Sequence, residues 1–458
     1  MASIKRSILF IFLLLFQAVD LFASEGGETH ALPEPLMVIP FAVLLIMIAT
    51  GPLFYHHFWE RNYPKVAIVL GSITVFYYLV FLNDTYHLLH TATEYISFIA
   101  LLASLFVATG GILIRVDRKS TPFLNIALLL FGSVIADIIG TTGASMLLIR
   151  PYIKINKNRI KPYHIIFFIF SVSNIGGSLT PIGDPPLFLG FLRGIEFFWF
   201  FKNIWFIWII TLAILMLVFY FFDSRNKGDE DPNTVYTGKI EFKGAKNLVY
   251  LGIILISVFI DPGVISWVPS LAPLPIGIRE LIMFSVVYLS YKTADKEILK
   301  YNEFNFEPIR EVAFLFVGIF ATMMPALQLI SYQAQQLGEH LTPGIFYWAT
   351  GLLSGFLDNA PTFLNFLSAA LGKYGMNVDI KQQVHEFSVL HPLYIEAISV
   401  AAVFFGAMTY IGNGPNFMVK SICERAGIKM PSFFGYLMKY SIPILLPIFA
   451  IIWFIFYY

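Results

Sequence analysis

Charged residues are scarce in this sequence, and that scarcity indicates its class. Of 458 residues, 13% are charged and 57% are hydrophobic, whereas soluble domains carry about 25% charged residues. A soluble chain could not cover so much apolar surface, so we expect lipid to be its solvent. The formal net charge is only +1, which excludes the strongly basic surface of a nucleic-acid-binding protein, and no nucleic-acid partner is expected.

Cysteine and several catalytic motifs are also missing. The single cysteine, Cys423, excludes a disulfide framework and a thiolate metal cage. No glycine-rich loop ends in Lys-Ser or Lys-Thr, so a P-loop ATPase is excluded. No apolar segment carries His-Glu-x-x-His or Gly-x-Ser-x-Gly, so we expect neither an intramembrane enzyme nor a resident cofactor. A protein of this kind that moves a solute is expected to use an ion gradient.

The N-terminus has the pattern of an export signal. Two basic residues, Lys5 and Arg6, precede an apolar run from 8 to 16, and the small residues Ala23 and Ser24 follow. Residues 1–23 are therefore interpreted as a signal peptide or, alternatively, as an uncleaved N-terminal anchor.

Long apolar segments fill the rest of the chain. They cover residues 36–55, 64–82, 95–114, 122–149, 163–192, 197–222, 248–262, 278–291, 310–330, 343–372, 391–418 and 433–457. A helix needs about 20 residues to cross the hydrocarbon core. The segments 122–149, 163–192 and 343–372 exceed that length, and polar residues, glycine or proline interrupt each of them. Such interruptions are tolerated where they line a cavity inside the protein.

The distribution of basic residues predicts how the long segments fold. Arg115, Arg118 and Lys119 precede the segment 122–149, and further basic residues follow it from 150 to 161. Because basic loops stay in the cytoplasm, both ends should lie there, and we expect 122–149 to be a re-entrant hairpin. The segment 343–372 is interpreted as a second hairpin that opens to the outside. This topology places the linker 223–247 in the cytoplasm of a bacterial-type inner membrane and the C-terminus outside.

Two motifs occur twice in the same order, which indicates an internal repeat. The residues Ser133, Asp137 and Thr141 recur with identical spacing as Ser354, Asp358 and Thr362. The string Thr-Pro-Ile-Gly-Asp-Pro-Pro-Leu-Phe at 180–188 recurs as Thr-Tyr-Ile-Gly-Asn-Gly-Pro-Asn-Phe at 409–417. We therefore predict two halves, 36–222 and 248–458, each with three helices, a hairpin, a broken helix and a last helix. Five full crossings per half is an odd number, so the second half must be inverted, an arrangement typical of secondary transporters.

These strings resemble the ion transporter superfamily, which includes bacterial sodium/proton antiporters, arsenite permeases and citrate or dicarboxylate carriers. The resemblance is carried by Ser-Asn-Ile-Gly-Gly-Ser-Leu-Thr-Pro-Ile-Gly-Asp-Pro-Pro at 173–186 and Leu-Asp-Asn-Ala-Pro-Thr at 357–362. It implies an all-α polytopic fold with two inverted repeats and a transport site at the helix breaks. The first hairpin departs from the pattern, because the Asn and Pro that follow Asp358 have no equivalent after Asp137. The two half-sites are therefore chemically unequal.

The candidate ion- and substrate-binding residues lie in these interrupted segments. They are Ser133, Asp137, Thr141, Asn174, Gly177, Thr180, Gly183, Asp184, Ser354, Asp358, Asn359, Thr362, Thr409, Gly412 and Asn413. A carboxylate at the centre of a bilayer is costly and marks a functional site by default. Asp137 and Asp358 are the candidates for Na⁺, since an ionised carboxylate holds a cation and a neutral one holds a proton. The alternatives are that Asp184, Asp137 or Asp358 merely caps a half-helix and that the hydroxyl groups only link helices.

Charged residues near the predicted outer surface suggest two further predictions. Asp84, His87, His90 and Glu94 fall on one face of a helix at the outer surface, where they form either a metal site or, more simply, a solvated polar face. Arg193, which is near one of the interrupted segments, is expected at the outer rim.

The leading functional hypothesis is sodium/proton antiport, because acidic residues outnumber basic ones inside the apolar segments. The alternative is cation-coupled transport of citrate or another dicarboxylate, whose anionic groups half-helix N-termini would hold. The expected partners are the lipid bilayer and a small ion or carboxylate substrate, with Na⁺ and H⁺ as transported species. A homodimer is one option for the assembly.

Overall fold

The computed structural model describes residues 32–226, 236–262, 264–271 and 274–458, so the predicted signal segment 1–23 lies outside the described residues. Within these ranges, seven helices are long and apolar enough to cross a bilayer. An eighth crossing results if the bent pair Lys381–Leu390 and Pro392–Met408 is taken as one span. Helices satisfy their own backbone hydrogen bonds, as lipid requires. The predicted all-α polytopic membrane architecture is confirmed.

The first half follows the predicted order of elements. Its helices are α1 (Ile39–Phe54), α2 (His56–Tyr77, continued by a π-helical turn to Leu82), α3 (Thr85–Gly110), α4 (Pro122–Ile155), α5 (Pro162–Ser171), α6 (Pro185–Arg193) and α7 (Trp199–Ser224). The third helix begins ten residues before the predicted start at 95. Asp84 caps it there, because its carboxylate accepts a hydrogen bond from the backbone N–H of His87 at 3.1 Å.

The second half repeats this order. Its helices are α8 (Ala245–Ser257), α9 (Ile278–Thr293), the short α10 (Lys296–Tyr301), α11 (Glu307–Leu337), α12 (Pro343–Ser354), α13 (Asn359–Lys373), α14 (Lys381–Leu390), α15 (Pro392–Phe405), α16 (Gly414–Arg425), the short α17 (Phe433–Tyr436), and α18 (Leu446–Phe456), which follows a π-helical stretch over Leu437–Leu445. The helix α14 is an addition that the apolar pattern did not predict, because its sequence is mostly polar.

A small antiparallel sheet joins the two halves. Strand β1 (Leu113–Val116) pairs with β2 (Ile240–Lys243), and Leu113 lies opposite Lys243. The second strand lies in the predicted linker, of which residues 227–235 are outside the described residues. The linker is therefore attached to the loop before α4 by backbone hydrogen bonds.

The helix α4 folds back on itself, as predicted for a re-entrant hairpin. Asn125 and Asn156 exchange side-chain hydrogen bonds of 2.9 and 2.8 Å although they lie 31 positions apart. In a straight helix they would be about 46 Å apart. The turn is at Gly140, whose φ of 78° is left-handed and suits glycine.

The second predicted hairpin consists of α12 and α13. Lys373, at the end of α13, donates a 2.8 Å hydrogen bond to the carbonyl of Leu341, just before α12. Between the helices, Phe346 and Phe366 meet with ring centroids 6.2 Å apart. The turn over 355–358 therefore forms the tip, and both hairpins of the prediction are present.

The helices sort into two bundles. The frame bundle contains the first three long helices of each half: α1, α2, α3, α8, α9 and α11. The site bundle contains the two hairpins, the broken helices and the last helix of each half: α4–α7, α12, α13, α15, α16 and α18. The bundles meet mainly where α3 packs on the first hairpin and α11 packs on the second. Each half therefore contributes equivalent elements to both bundles.

The two hairpins enter the site bundle from opposite ends. His87, near the start of α3, lies 3.4 Å from Asp379, just past the base of the second hairpin. The other end of α3, at Gly110, is about 35 Å away by helix length and leads through β1 into the base of the first hairpin. This is the inverted arrangement that the odd number of crossings predicts.

Candidate functional site

Each half contains one broken helix, and prolines and glycines define the breaks. The first break separates α5, which ends at Ser171, from α6, which begins with Pro185. The second separates α15, which ends at Phe405, from α16, which begins with Gly414 and Pro415. Proline fits the first turn of a helix because the N–H it lacks has no partner there. Both breaks lie within the site bundle.

Each break is closed by a pair of glycines in direct contact. A Cβ on Gly183 would lie 2.3 Å from the carbonyl oxygen of Gly177, and a Cβ on Gly412 would lie 2.7 Å from that of Gly406. In both cases the equivalent glycines are 229 positions apart, which is also the offset between the repeated strings at 180–188 and 409–417. Gly406 was not among the predicted residues. Only glycine allows the chain to cross itself this closely.

One threonine in each break holds the tip of its own hairpin. The hydroxyl of Thr180 donates a 2.5 Å hydrogen bond to the carbonyl of Asp137, and that of Thr409 donates a 2.6 Å bond to the carbonyl of Gly355. Each hydroxyl also accepts a backbone N–H, from Gly183 at 3.2 Å and from Gly412 at 3.1 Å. The repeat is therefore present in the hydrogen bonds as well as in the sequence.

Asp184 links both hairpins to both breaks. Its carboxylate, 1% exposed, accepts hydrogen bonds from Thr141 at 2.8 Å, Asn359 at 2.5 Å and Asn413 at 3.0 Å. These donors come from the first hairpin, the second hairpin and the second break. Asp184 occupies the N-cap position of α6, but its side chain makes no capping hydrogen bond. The alternative that Asp184 serves as a side-chain cap is therefore wrong.

A row of asparagines continues this network between the two breaks. Asn413 donates to the side-chain oxygen of Asn174 at 3.2 Å, and Asn174 donates to that of Asn416 at 2.7 Å. Asn416 in turn donates to the carbonyls of Gly406 and Thr409, at 2.8 and 2.9 Å. Sequence reasoning missed Asn416 because its repeat equivalent is Leu187, so the internal repeat gave no signal for it.

Asp137 and Asp358 occupy equivalent hairpin tips but different environments. Asp137 is 8% exposed, and one carboxylate oxygen accepts the backbone N–H of Leu179 at 2.8 Å. Asp358 is half-buried and caps α13 by accepting the N–H of Ala360 at 3.0 Å. Backbone N–H groups bond to both carboxylates, those of Leu179 and Thr180 to Asp137 and that of Ala360 to Asp358. A carboxylate has about four lone-pair sites, so oxygen lone pairs remain to coordinate a cation. The unequal half-sites expected from the sequence are thus observed.

Three of the predicted hydroxyl groups bond to backbone carbonyls only. Ser133 donates to Leu129 at 2.9 Å, Ser354 to Ala402 at 2.6 Å and Thr362 to Asp358 at 2.8 Å. The first and third bonds lie within or at the start of their own helix, and the second links two helices. For these three, the simpler alternative of helix hydrogen bonds fits the geometry. The predicted residues whose side chains join the network around Asp184 are Thr141, Asn174, Asn359 and Asn413.

The predicted polar face at the start of α3 is buried instead of solvated. Asp84 and Glu94 are 2% and 5% exposed. Glu94 forms an ion pair with Arg193, which is only 1% exposed and also pairs with Asp379. The prediction of a solvated face is therefore wrong. The rim position of Arg193 stays a prediction, because its burial does not give its depth in the membrane. The partners lie 99 and 285 positions from Glu94, too far for a local pattern to reveal them.

A comparison with protein families places the chain. A search of curated proteins finds no match to this sequence. A family model described as "putative citrate transport" matches residues 30–457, nearly the whole chain. The match covers both hairpins and both breaks, and it agrees with the superfamily that the motifs resemble. With paired hairpins, broken helices and a polar network between them, the chain belongs to this citrate transport family and is a multi-pass membrane transporter.

Proposed function

We propose that this protein is a secondary transporter that couples the movement of citrate, or a related small carboxylate, to a cation gradient. The observation that carries the proposal is the match of the citrate transport family over residues 30–457. It favours the carboxylate alternative over sodium/proton antiport, which was the leading hypothesis from the sequence. The site geometry supports a transporter of a small polar solute in three ways.

Helix ends at the site suit an anionic substrate. The half-helices α6 and α16 begin immediately after Asp184 and Asn413, so their N-termini adjoin the network. A helix N-terminus carries partial positive charge and attracts carboxylates without a basic side chain. Because α6 begins with two prolines, which have no N–H, it offers only this partial charge, whereas α16 begins with Gly414, which has an N–H group. At the start of α16, Gly414 is exposed, with open space beside its α-carbon. We assign this end of α16 as the first contact for a substrate carboxylate.

Amide and hydroxyl groups give the site its selectivity for polar solutes. Asn174, Asn359 and Asn413 each carry a donor and an acceptor, and all three are buried. Buried polar groups that lose a partner are costly, so a site built from them rejects apolar analogues of its substrate. This composition suits a solute with several carboxylate and hydroxyl oxygens.

Carboxylates at the hairpin tips suit the coupling cation. Asp137 lies next to a crowded backbone, and a Cβ on Gly183 would be 2.9 Å from its Oδ1. Carboxylate and carbonyl oxygens are the ligands that hard cations such as Na⁺ prefer. A cation at Asp137 or Asp358 would also offset the negative charge of an incoming carboxylate. We therefore assign Na⁺ or H⁺ coupling to these two residues.

Uptake into proteoliposomes tests the proposal. Labelled citrate should accumulate when an inward Na⁺ or H⁺ gradient is imposed, and accumulation should stop when an ionophore collapses that gradient. Protein-free liposomes are the control. No citrate accumulation under either gradient would contradict the proposal.

Neutral variants test the coupling residues. Asp137→Asn and Asp358→Asn should each reduce gradient-driven uptake at least tenfold while the protein still inserts, because an amide cannot supply a charged ligand to Na⁺. Asp223→Asn is a control, since Asp223 is at least as buried as the two hairpin aspartates but belongs to a cluster with Arg159 at the end of α7. Wild-type uptake in both hairpin variants would remove these residues from the coupling site.

A further inference from the structure

Alternating access requires the two bundles to move against each other around a central site. The broken helices and both hairpins lie in one bundle, so any contact that crosses to the frame bundle must change in that movement. From the proposed transport function we take only this movement of the two bundles. Polar contacts cross the interface between the frame and site bundles at the two ends of α3.

A buried ion cluster crosses this interface at the start of α3. Glu94, on the frame bundle, pairs with Arg193 at the end of α6 through N–O distances of 2.5 and 2.7 Å. On the same frame helix, His87 lies 2.6 Å from Asp84 and 3.4 Å from Asp379. Arg193 also contacts Asp379 within its own side of the interface. Two frame residues thus contact one ion pair of the site bundle.

Because these charged groups are buried, breaking their contacts costs free energy and disfavours separation of the bundles. Arg193 is 1% exposed, and a buried charge that loses its partner is strongly unfavourable. Burial would raise the pKa of Asp379, but the charges of Arg193 and His87 outweigh it and hold that pKa below its ordinary value. Separation of the bundles at this end would leave the Arg193–Asp379 pair without Glu94 and His87, so water or another group would have to replace them.

The opposite end of the interface has no equivalent cluster among the described residues. There Arg150, on the first hairpin, lies 3.7 Å from Glu303, which is 59% exposed. Exposed pairs of this kind contribute little. Glu311 lies in the first turns of α11, the helix equivalent to α3 in the second half; it is exposed and shows no ion pair in the described ranges. The pseudo-symmetry of the fold is therefore broken by charge at this one end.

We propose that Glu94, Arg193, Asp379 and His87 form an ionic latch that holds the frame and site bundles together at the start of α3. The latch biases the transporter toward the conformation in which this end is closed. Arg193 keeps Asp379 as a partner when Glu94 is neutralised, and it keeps Glu94 when Asp379 is neutralised. Each single variant therefore weakens the cross-bundle contact without leaving a buried arginine with no counter-ion.

Distance measurement between spin labels tests the latch. The helix α14 packs on α15 and accepts a hydrogen bond from Trp199 of α7, so it belongs with the site bundle. In a Cys423→Ser background, labels at Thr93→Cys on α3 and Gln382→Cys on α14 therefore report across the interface, and both sites are exposed. Glu94→Gln and Asp379→Asn should each raise the ratio of a second, longer distance population to the first at least about tenfold. Distance distributions that superimpose on that of the parent in both variants would overturn the latch.

Two buried ion pairs that lie within a single bundle are matched controls. Glu280→Gln affects a 2.7 Å pair with Arg279 inside the frame bundle, and Asp223→Asn affects a 2.7 Å pair with Arg159 inside the site bundle. Both variants should keep the parent distance distribution. Equal shifts in the controls would also overturn the proposal, because the effect would then be general loosening. The distances are measured without substrate, so a failure of citrate transport leaves this result interpretable.

Discussion

Substitution of Asp184 is the most informative perturbation of the site, because this carboxylate joins three elements at once. Its Oδ1 accepts from Thr141 and Asn413, and its Oδ2 accepts from Asn359. In Asp184→Asn the remaining oxygen can satisfy the first two donors. The new amide then faces the Asn359 amide over a 2.5 Å gap, donor against donor. Asn359 must flip its amide or move away.

The magnitude follows from the hydrogen bonds. A bond to a charged group contributes about 1.5–3 kcal/mol and a neutral one about 1 kcal/mol. Weakening three bonds of this kind costs about 3 kcal/mol. If this whole cost falls on the conformation that binds substrate, substrate affinity falls roughly a hundredfold, since about 1.4 kcal/mol corresponds to a tenfold change in affinity. Asp184→Ala, which leaves all three donors without their acceptor, should be worse.

Initial rates of citrate uptake against citrate concentration measure this effect. Asp184→Asn should show a much higher KM or lost uptake, with normal insertion and a monodisperse profile in detergent. Asp223→Asn, which removes a charge at equal burial but away from the site, should retain its KM. Wild-type KM and maximal rate in both Asp184 variants would refute the role of the network.

Two further predictions concern packing and topology. Gly412→Ala should destabilise the protein by about 1–3 kcal/mol in thermal unfolding and impair uptake, because its Cβ would meet the Gly406 carbonyl at 2.7 Å. Gly414→Ala, whose Cβ enters open space, should keep the parent thermal stability, and equal stability of the two variants would contradict the packing argument; this control is compared in unfolding only, because Gly414 lies at the assigned carboxylate contact. Single cysteines at Lys157 and Gln335 should react with impermeant thiol reagents from opposite membrane faces, the first from the cytoplasm. Labelling from one face would exclude the inverted topology.

Much of the fold could be predicted because membrane burial constrains sequence so strongly. The over-long segments at 122–149 and 343–372 had to fold back, since lipid does not tolerate exposed breaks. The repeated motif at 180–188 and 409–417 predicted equivalent breaks, and the structure places Thr180 and Thr409 in equivalent hydrogen bonds. At these positions the length of an apolar segment or a repeated motif was enough to predict the local structure.

Long-range polar contacts could not be predicted in the same way. The four polar residues from 84 to 94 have the spacing of a solvated helix face, and nothing local shows that Arg193 and Asp379 cover them. Asn416 escaped attention because the repeat has an apolar residue in its place. The sequence also did not show which aspartate caps its helix: Asp358 does and Asp184 does not. Side-chain direction at a helix start depends on the tertiary partners available.

The substrate is the central claim, and one side-by-side flux measurement tests it most directly. One portion of a proteoliposome preparation would receive labelled citrate under an imposed Na⁺ or H⁺ gradient. A second portion, with a preset pH gradient that a fluorescent dye reports, would receive Na⁺ alone. The account predicts citrate accumulation that depends on the cation gradient, and no collapse of the pH gradient on adding Na⁺ alone. Collapse of the pH gradient by Na⁺, with no citrate accumulation, would contradict it and establish sodium/proton antiport instead.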